Sequence, residues 1–172
     1  LPASCKPVNR KEAYRIQAIL EQRSDNTIPG WKIAATSDAG QSHIGVPGPL
    51  AGRLLKERFH RSGKSISLKN SSMKVAEAEF AFHMACDLPP RAERYSMMEV
   101  LRAVDRLYPA IEIPDSRFNE FATAGEAQLI ADNACAHEFI LGEPTTQSWK
   151  DIDLRDHSVG ISAGKTAKQK GT

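Results

Sequence analysis

Two glutamates separated by one residue, Glu77 and Glu79, lie in an alternating segment whose chemistry suits a divalent cation. Residues 75–84 read Val-Ala-Glu-Ala-Glu-Phe-Ala-Phe-His-Met. In a strand, these acids would share one face, roughly 7 Å apart. Their repulsion would be about 2 kcal/mol at an effective dielectric of 20. A concave, partly buried face needs a cation such as Mg²⁺ or Mn²⁺ to offset that repulsion. A solvated face does not, so an edge strand with a wet face is the alternative.

A third acid, Glu112, stands between Ile111 and Ile113 in a second apolar segment. An unpaired carboxylate is expensive to bury, so a buried strand here would require a cation or a hydrogen-bond network. Three carboxylates from two strands would give Mg²⁺ or Mn²⁺ its protein ligands. Water and a bidentate oxyacid could then complete an octahedral shell. At a sheet edge, Glu112 would instead face solvent, and the residues alone leave both interpretations open.

Composition restricts the classes of partner. The chain has 172 residues, 41% hydrophobic and 26% charged, with a net charge of +2. Its length and composition predict one domain, residues 1–172. Within it we expect an N-terminal helix, strand and loop region (1–62) and a sheet region that carries the acids (63–172). No basic stripe interleaved with aromatic residues indicates nucleic-acid binding, and no apolar run is long enough for a membrane span. The three cysteines form no CxxC pair, which argues against a zinc site and a disulfide framework and predicts a cytoplasmic protein.

The elements that must position the acids mix helices and strands. Asn9 with Glu12, and Ser96 with Glu99, form two capping boxes that predict helices. One predicted helix follows Asn9 and runs through Leu20, and the other covers residues 100–107. The predicted strands cover residues 31–35, 65–68, 75–84, 110–113 and 137–141. Residues 45–52 are expected to form a loop. Because no regular βαβ period is visible, we predict an α+β fold with a curved sheet. Phe80 and Phe82 are expected to be buried, opposite the acids.

The two ends of the chain are unusual for a complete protein. The sequence begins at Leu1 without a methionine and ends in a polar run, residues 164–172, with no closing element. Such a run is typical of a loop or a disordered end. We therefore expect a part of a longer chain.

Five short motifs occur in a fixed order along the sequence. They are Gly30-Trp31-Lys32-Ile33, Gly45-Val46, Val75-Ala76-Glu77-Ala78-Glu79, Pro109-Ala110-Ile111-Glu112-Ile113 and Ala131-Asp132-Asn133-Ala134. This series resembles the 2-keto-4-pentenoate hydratase / 4-oxalocrotonate decarboxylase group of the fumarylacetoacetate hydrolase family. The resemblance extends over nearly the whole chain, and the pairing of a Glu-x-Glu strand with a later apolar-Glu-apolar strand makes it specific.

The resemblance implies a fold, a metal centre and a reaction. The fold would be a curved mixed sheet or roll with flanking helices, incomplete here because members continue past Thr172. Glu77, Glu79 and Glu112 match the family's ligands to Mg²⁺ or Mn²⁺. Lys32 matches a catalytic lysine of the family that could anchor the substrate carboxylate or move a proton. Without the resemblance, the interpretation of Lys32 would be a surface lysine in a strand. The implied enzyme is a hydratase or decarboxylase acting on a short 2-oxo or 2-hydroxydienoic acid in aromatic catabolism, and we expect a homo-oligomer.

Two departures from the group bear on the reaction. Leu50 stands where its hydratases commonly carry an acid, and Cys135 stands where they often carry a serine. One alternative is a C–C bond hydrolase of the same family acting on a β-diketo acid, with His43 or His83 as the general base. Another is a catalytically impaired fragment or paralogue that binds only metal and small acids.

Overall fold

The computed structural model describes residues 1–24, 27–165 and 167–171, which divide into two compact units. The first unit comprises Leu1–Glu77 and Glu112–Ile140, and the second Ala78–Ile111 and Leu141–Thr172. The described α-helices are α1 (Arg10–Arg23), α2 (Asp38–Ile44), α3 (Met97–Ala103) and α4 (Glu126–Ala131). The strands are β1 (Gly30–Ala34), β2 (Leu50–Leu54), β3 (Phe59–Arg61), β4 (Glu77–Met84), β5 (Val104–Ile113), β6 (Glu138–Leu141), β7 (Val159–Ala163) and β8 (Ala167–Gly171). This is a mixed α and β structure, as the sequence predicted, and its sheets are open.

Helix α1 begins where its cap predicts. The Asn9 side chain accepts a hydrogen bond from the Glu12 backbone N–H at 2.9 Å, while the Glu12 carboxylate accepts one from the backbone of Val8 at 2.6 Å. The inward face of α1 carries Ala13 and Gln17, both fully buried. The helix is therefore fixed at its start by side-chain caps and along its length by packing.

The first unit packs α1 and α4 over the two-stranded sheet β1–β2. Its core cluster contains Ala13, Val46, Leu50, Leu129, Ile130 and Ala134. Strands β1 and β2 pair antiparallel, with Lys32 opposite Gly52 and Ala34 opposite Leu50. The prediction of a loop over residues 45–52 is wrong for residues 50–52. The buried positions of β2 alternate along the strand, and this pairing is a tertiary feature that glycine content does not reveal.

The second unit holds α3 and most of β5. The predicted capping box is confirmed, because the Ser96 and Glu99 side chains each bond the other's backbone. The predicted helix over residues 100–107 is wrong in its second half, since α3 ends at Ala103 and β5 follows directly. Val104 and Leu107 pack against Trp149 from an extended backbone. Their spacing of three residues is typical of a helix face, which is why the pattern predicted a helix here.

Strand β4 is the last strand of a sheet whose order is β3-β6-β5-β4 within the described part of the chain. Phe80 is partly buried, but Phe82 is 49% exposed, so the prediction that Phe82 is a core residue is wrong. A terminal strand has a sheet neighbour on one side only, and the Phe82 ring lies 5.9 Å from that of Trp149 without being enclosed. The predicted strand at residues 65–68 is also wrong, because no strand forms there.

The polar run at the end of the chain forms regular structure. Strands β7 and β8 pair antiparallel, from Val159 opposite Gly171 to Ala163 opposite Ala167. The prediction of an end without a closing element is therefore wrong for residues 167–171, while Thr166 and Thr172 lie outside the described residues. Among the helices that the structure describes, none is long and apolar enough to cross a membrane.

Candidate active site

Lys32 and Glu112 form a buried ion pair in the first unit. The Lys32 Nζ lies 3.1 Å from the Glu112 Oε2, and the two side chains are only 8% and 2% exposed. Strand β1 supplies the lysine and the end of β5 supplies the acid. This burial excludes both a surface lysine at position 32 and a solvated sheet edge at position 112. An ion pair so well shielded from water attracts more strongly than an exposed one.

The stem of Lys32 reaches Glu112 across a glycine. Gly52 lies opposite Lys32 in the β1–β2 ladder. A Cβ at Gly52 would lie 3.2 Å from the Lys32 Cγ and 2.3 Å from the backbone oxygen of Asn133. Because atoms at 2.3 Å overlap severely, only glycine leaves room here for the close approach of the two backbone segments.

A left-handed turn provides the second acceptor for the Lys32 ammonium. Asn133, Ala134 and Cys135 have φ angles of 60°, 49° and 60°, a conformation that costs roughly 1–2 kcal/mol for each residue with a side chain. The Lys32 Nζ donates to the Ala134 carbonyl at 3.2 Å. The turn was visible in the sequence only as part of a family motif, and Asn133 is its only residue with a tendency toward positive φ.

Side chains on both flanks hold the turn in place. The Asn133 amide accepts from the backbone N–H of Arg53 at 2.7 Å and donates to the backbone oxygen of the same residue at 2.9 Å. The Asp132 carboxylate accepts from the Ser116 hydroxyl at 2.6 Å and from the backbone N–H and side chain of Arg117. Strained backbone persists where surrounding contacts determine it, and such segments cluster at functional sites.

The three predicted metal-binding acids lie close together. Glu77, Glu79 and Glu112 each offer one carboxylate oxygen, and these oxygens all lie within 4.8 Å of one another. Glu77 is exposed, Glu79 is partly buried and Glu112 is buried. Oxygen ligands around an octahedral Mg²⁺ are about 3–4 Å apart, so small side-chain rotations would bring these three into that range. This donor set fits a hard divalent cation, and the role of the three acids as ligands stays a prediction.

The two departures from the family pattern have different surroundings. Leu50 is fully buried in the core cluster of the first unit, so an acid at this position would carry its charge into apolar packing. Cys135 is mostly buried, and this burial raises the pKa of its thiol to about 11. At neutral pH Cys135 is therefore a thiol, which donates hydrogen bonds more weakly than a serine hydroxyl.

Neither histidine considered as a general base belongs to the acidic group. His83 is 54% exposed, and its Nδ1 lies 2.6 Å from Asp105 Oδ1. This hydrogen bond lowers the pKa of the Asp105 carboxyl. His83 lies four positions after Glu79 in strand β4, which places their backbones about 13 Å apart. His43 is exposed and packs edge-on against Phe121, with the ring centroids 6.0 Å apart.

Comparisons with known proteins point to one group of enzymes. The chain is 33% identical over 150 residues to a 2-keto-4-pentenoate hydratase of Paraburkholderia xenovorans, an alignment that covers 86% of this chain and 54% of the hydratase. It is 30% identical over 151 residues to a 2-hydroxypent-2,4-dienoate hydratase of Pseudomonas putida, covering 86% and 66%. The chain thus spans about half the length of the first of these relatives. No family model matches the sequence.

Solved structures show the same similarity. The 4-oxalocrotonate decarboxylase from Pseudomonas putida G7, complexed with magnesium and adipate, matches with a TM-score of 0.72 and 27% sequence identity, over 84% of this chain and 55% of the decarboxylase. The same enzyme complexed with calcium and acetate matches with a TM-score of 0.68. The described fold is therefore that of 4-oxalocrotonate decarboxylase over the matched residues.

Proposed function

We propose that this chain carries the metal centre of a divalent-cation-dependent lyase. The chain is a homologue of the 2-keto-4-pentenoate hydratase / 4-oxalocrotonate decarboxylase group of the fumarylacetoacetate hydrolase family. The substrate would be a short 2-oxo or 2-hydroxydienoic acid, which the enzyme hydrates or decarboxylates in aromatic catabolism. The observation that carries this proposal is the grouping of three carboxylates, one of which is paired with the buried Lys32. The protein is proposed to be a cytoplasmic homo-oligomer, with residues 1–172 belonging to one domain of the family's curved sheet type.

Glu77, Glu79 and Glu112 are the residues that would hold Mg²⁺ or Mn²⁺. A bound ion of this kind would supply Lewis acidity, which would favour negative charge on the 2-oxo oxygen of an oxoacid. The relative's structures with magnesium and calcium support this choice of a hard cation. Because Glu112 already pairs with Lys32, the acids and the lysine would act on the same small molecule.

The proposed role of Lys32 follows from its hydrogen bonds. An ammonium has three N–H donors, and in the described structure Glu112 Oε2 and the Ala134 carbonyl accept from two directions. A third donor can then be directed at a substrate carboxylate or used to transfer a proton. The rigid acceptors orient the lysine before the substrate arrives, which reduces the cost of ordering it on binding.

Cation binding tests the proposed centre before any turnover is measured. Titration calorimetry with Mg²⁺, and electron paramagnetic resonance with Mn²⁺, should detect one site in the full chain. Glu79→Gln should weaken binding by at least about 10–100-fold, the range seen even for residues that only support a ligand. Glu143→Gln, which changes an exposed carboxylate outside the group, is the matched control. Equal affinities for the two variants would overturn the assignment of the ligands.

Product analysis then separates the possible reactions. The protein with Mg²⁺ is incubated with 2-hydroxypentadienoate, with 4-oxalocrotonate and with a β-diketo acid, and the products are identified by mass spectrometry. Turnover of either of the first two supports the lyase, whereas cleavage of only the β-diketo acid identifies a C–C bond hydrolase. Mg²⁺-dependent binding of oxalate without any turnover would identify a catalytically impaired paralogue.

A further inference from the structure

We propose that Gly52 and Asn133 are positioning residues for Lys32. In this proposal, they hold the left-handed turn at residues 133–135 so that the Ala134 carbonyl fixes the Lys32 ammonium beside Glu112. The catalytic meaning of this arrangement rests on the proposed function, whereas the arrangement itself can be tested without metal or substrate.

Asn133 ties the turn to strand β2 as a neighbouring strand would. Its side-chain amide bonds both the N–H and the carbonyl of Arg53, at 2.7 and 2.9 Å. Asn133 is 4% exposed, so water cannot readily replace these two bonds. Three consecutive positive φ angles would relax if this anchor were lost. The position of the Ala134 carbonyl therefore depends on a side chain that does not itself touch Lys32 in any described hydrogen bond.

Gly52 sets the distance between the turn and strand β2. The Asn133 carbonyl lies directly over Gly52, at 2.3 Å from where a Cβ would stand. Relief of this overlap requires the turn to move by about 1 Å, because real contacts of this kind begin near 3.0–3.4 Å. The bond from Lys32 Nζ to the Ala134 carbonyl is already 3.2 Å long, so a shift of this size would break it.

The matched pair Gly52→Ala and Gly30→Ala tests the proposal. Both glycines lie in the β1–β2 ladder, but a Cβ at Gly30 would meet only the Leu54 Cδ1, at a relaxed 3.9 Å. Lys32 is acylated with limiting acetic anhydride, and its rate relative to the exposed Lys11 is read by mass spectrometry. Gly52→Ala should raise the Lys32 rate at least about tenfold, as expected for the loss of one hydrogen bond from a charged group. Gly30→Ala should leave it near the wild-type value.

Substitutions at Asn133 keep the test decisive if Gly52→Ala fails to fold. Asn133→Gly tolerates the positive φ but removes both bonds to Arg53, and should also expose Lys32. Asn133→Asp keeps the acceptor for the Arg53 N–H and should give partial rescue. Amide hydrogen exchange in β1, unchanged between variants, shows that the effect is local.

Two results would overturn the proposal. The first is a wild-type acylation rate of Lys32 in the folded Gly52 and Asn133 variants, and the second is the same acceleration of Lys32 acylation after Gly30→Ala as after Gly52→Ala. Because the labelling uses no cation and no substrate, a protein that fails to bind Mg²⁺ can still confirm the positioning of Lys32. Conversely, normal Mg²⁺ binding with unaltered labelling would reject the positioning and leave the proposed function standing.

Discussion

Replacement of Lys32 by methionine isolates the energetic role of the buried ion pair. The substitution keeps most of the apolar stem and removes the ammonium, which leaves a carboxylate that is 2% exposed without its cation at 3.1 Å. The Coulomb attraction at that distance is about 5 kcal/mol at an effective dielectric of 20. Removal of one partner of a buried pair typically costs about 3–5 kcal/mol. We expect a loss of this size in the free energy of unfolding.

Denaturant unfolding in the presence of a chelator measures this loss. Far-ultraviolet circular dichroism follows the transition, and an unchanged m-value shows that the same surface is exposed. Lys11→Met, at an exposed position of α1, is the control and should change stability by less than about 0.5 kcal/mol. The double variant Lys32→Met/Glu112→Gln should lose less than the sum of the two single variants, with a coupling of about 2 kcal/mol.

Additivity would refute the reasoning. If Lys32→Met costs less than about 1 kcal/mol and its effect adds to that of Glu112→Gln, the two side chains do not stabilise each other. Addition of Mg²⁺ gives a further check, because a cation bound near Glu112 would replace the missing charge. The stabilisation by Mg²⁺ should then be larger for Lys32→Met than for the wild-type protein.

Three further predictions concern other parts of the chain. Leu50→Asp should destabilise the protein by more than about 3 kcal/mol, because it places a charge in a fully buried site. The melting temperature should fall accordingly, and an unchanged melting temperature would show that the position can open to solvent. Cys135 should resist iodoacetamide at pH 8 while the exposed cysteines react. The pKa of its thiol is about 11 in the folded state and 9.0 ordinarily, so between these pH values the folded state binds more protons than the unfolded state. The free energy of unfolding should therefore fall as the pH rises from 9 to 11. The Glu99 carboxyl should titrate at about 2 because Arg91 and Ser96 donate hydrogen bonds to it, and Arg91→Gln should raise that pKa toward 4.5 in an NMR titration.

The parts of the site that follow from local pattern could be predicted. Alternation around Glu77 and Glu79 gives strand β4, and the apolar flanks of Glu112 give the end of β5. The expense of burying Glu112 alone already required a cation or a network, and the structure supplies Lys32. Lys32 itself needed the family resemblance, because nothing in its neighbours along the chain indicates that the side chain is buried.

The parts that depend on distant contacts could not be predicted. The turn at residues 133–135 contains no glycine, and its conformation depends on Arg53, which lies 80 positions away. Phe82 alternates like a core residue, yet its exposure depends on which strands lie beside β4. Val104 and Leu107 fit a helix by spacing, and only their packing against Trp149 selects the strand.

The left-handed turn also bears on the order of folding. Its anchoring bonds join residues 80 apart in sequence, and the bond from Lys32 to the Ala134 carbonyl joins residues 102 apart. Contacts of such long range form only after much of the chain has been ordered, because loop closure comes first. Within the turn, the Ala136 N–H donates to the Asn133 carbonyl at 2.9 Å, but the side-chain bonds to Arg53 form only when the distant segments meet. Substitutions at Asn133 should therefore accelerate unfolding while leaving the folding rate nearly unchanged, which means that Lys32 acquires its final position late on the folding pathway.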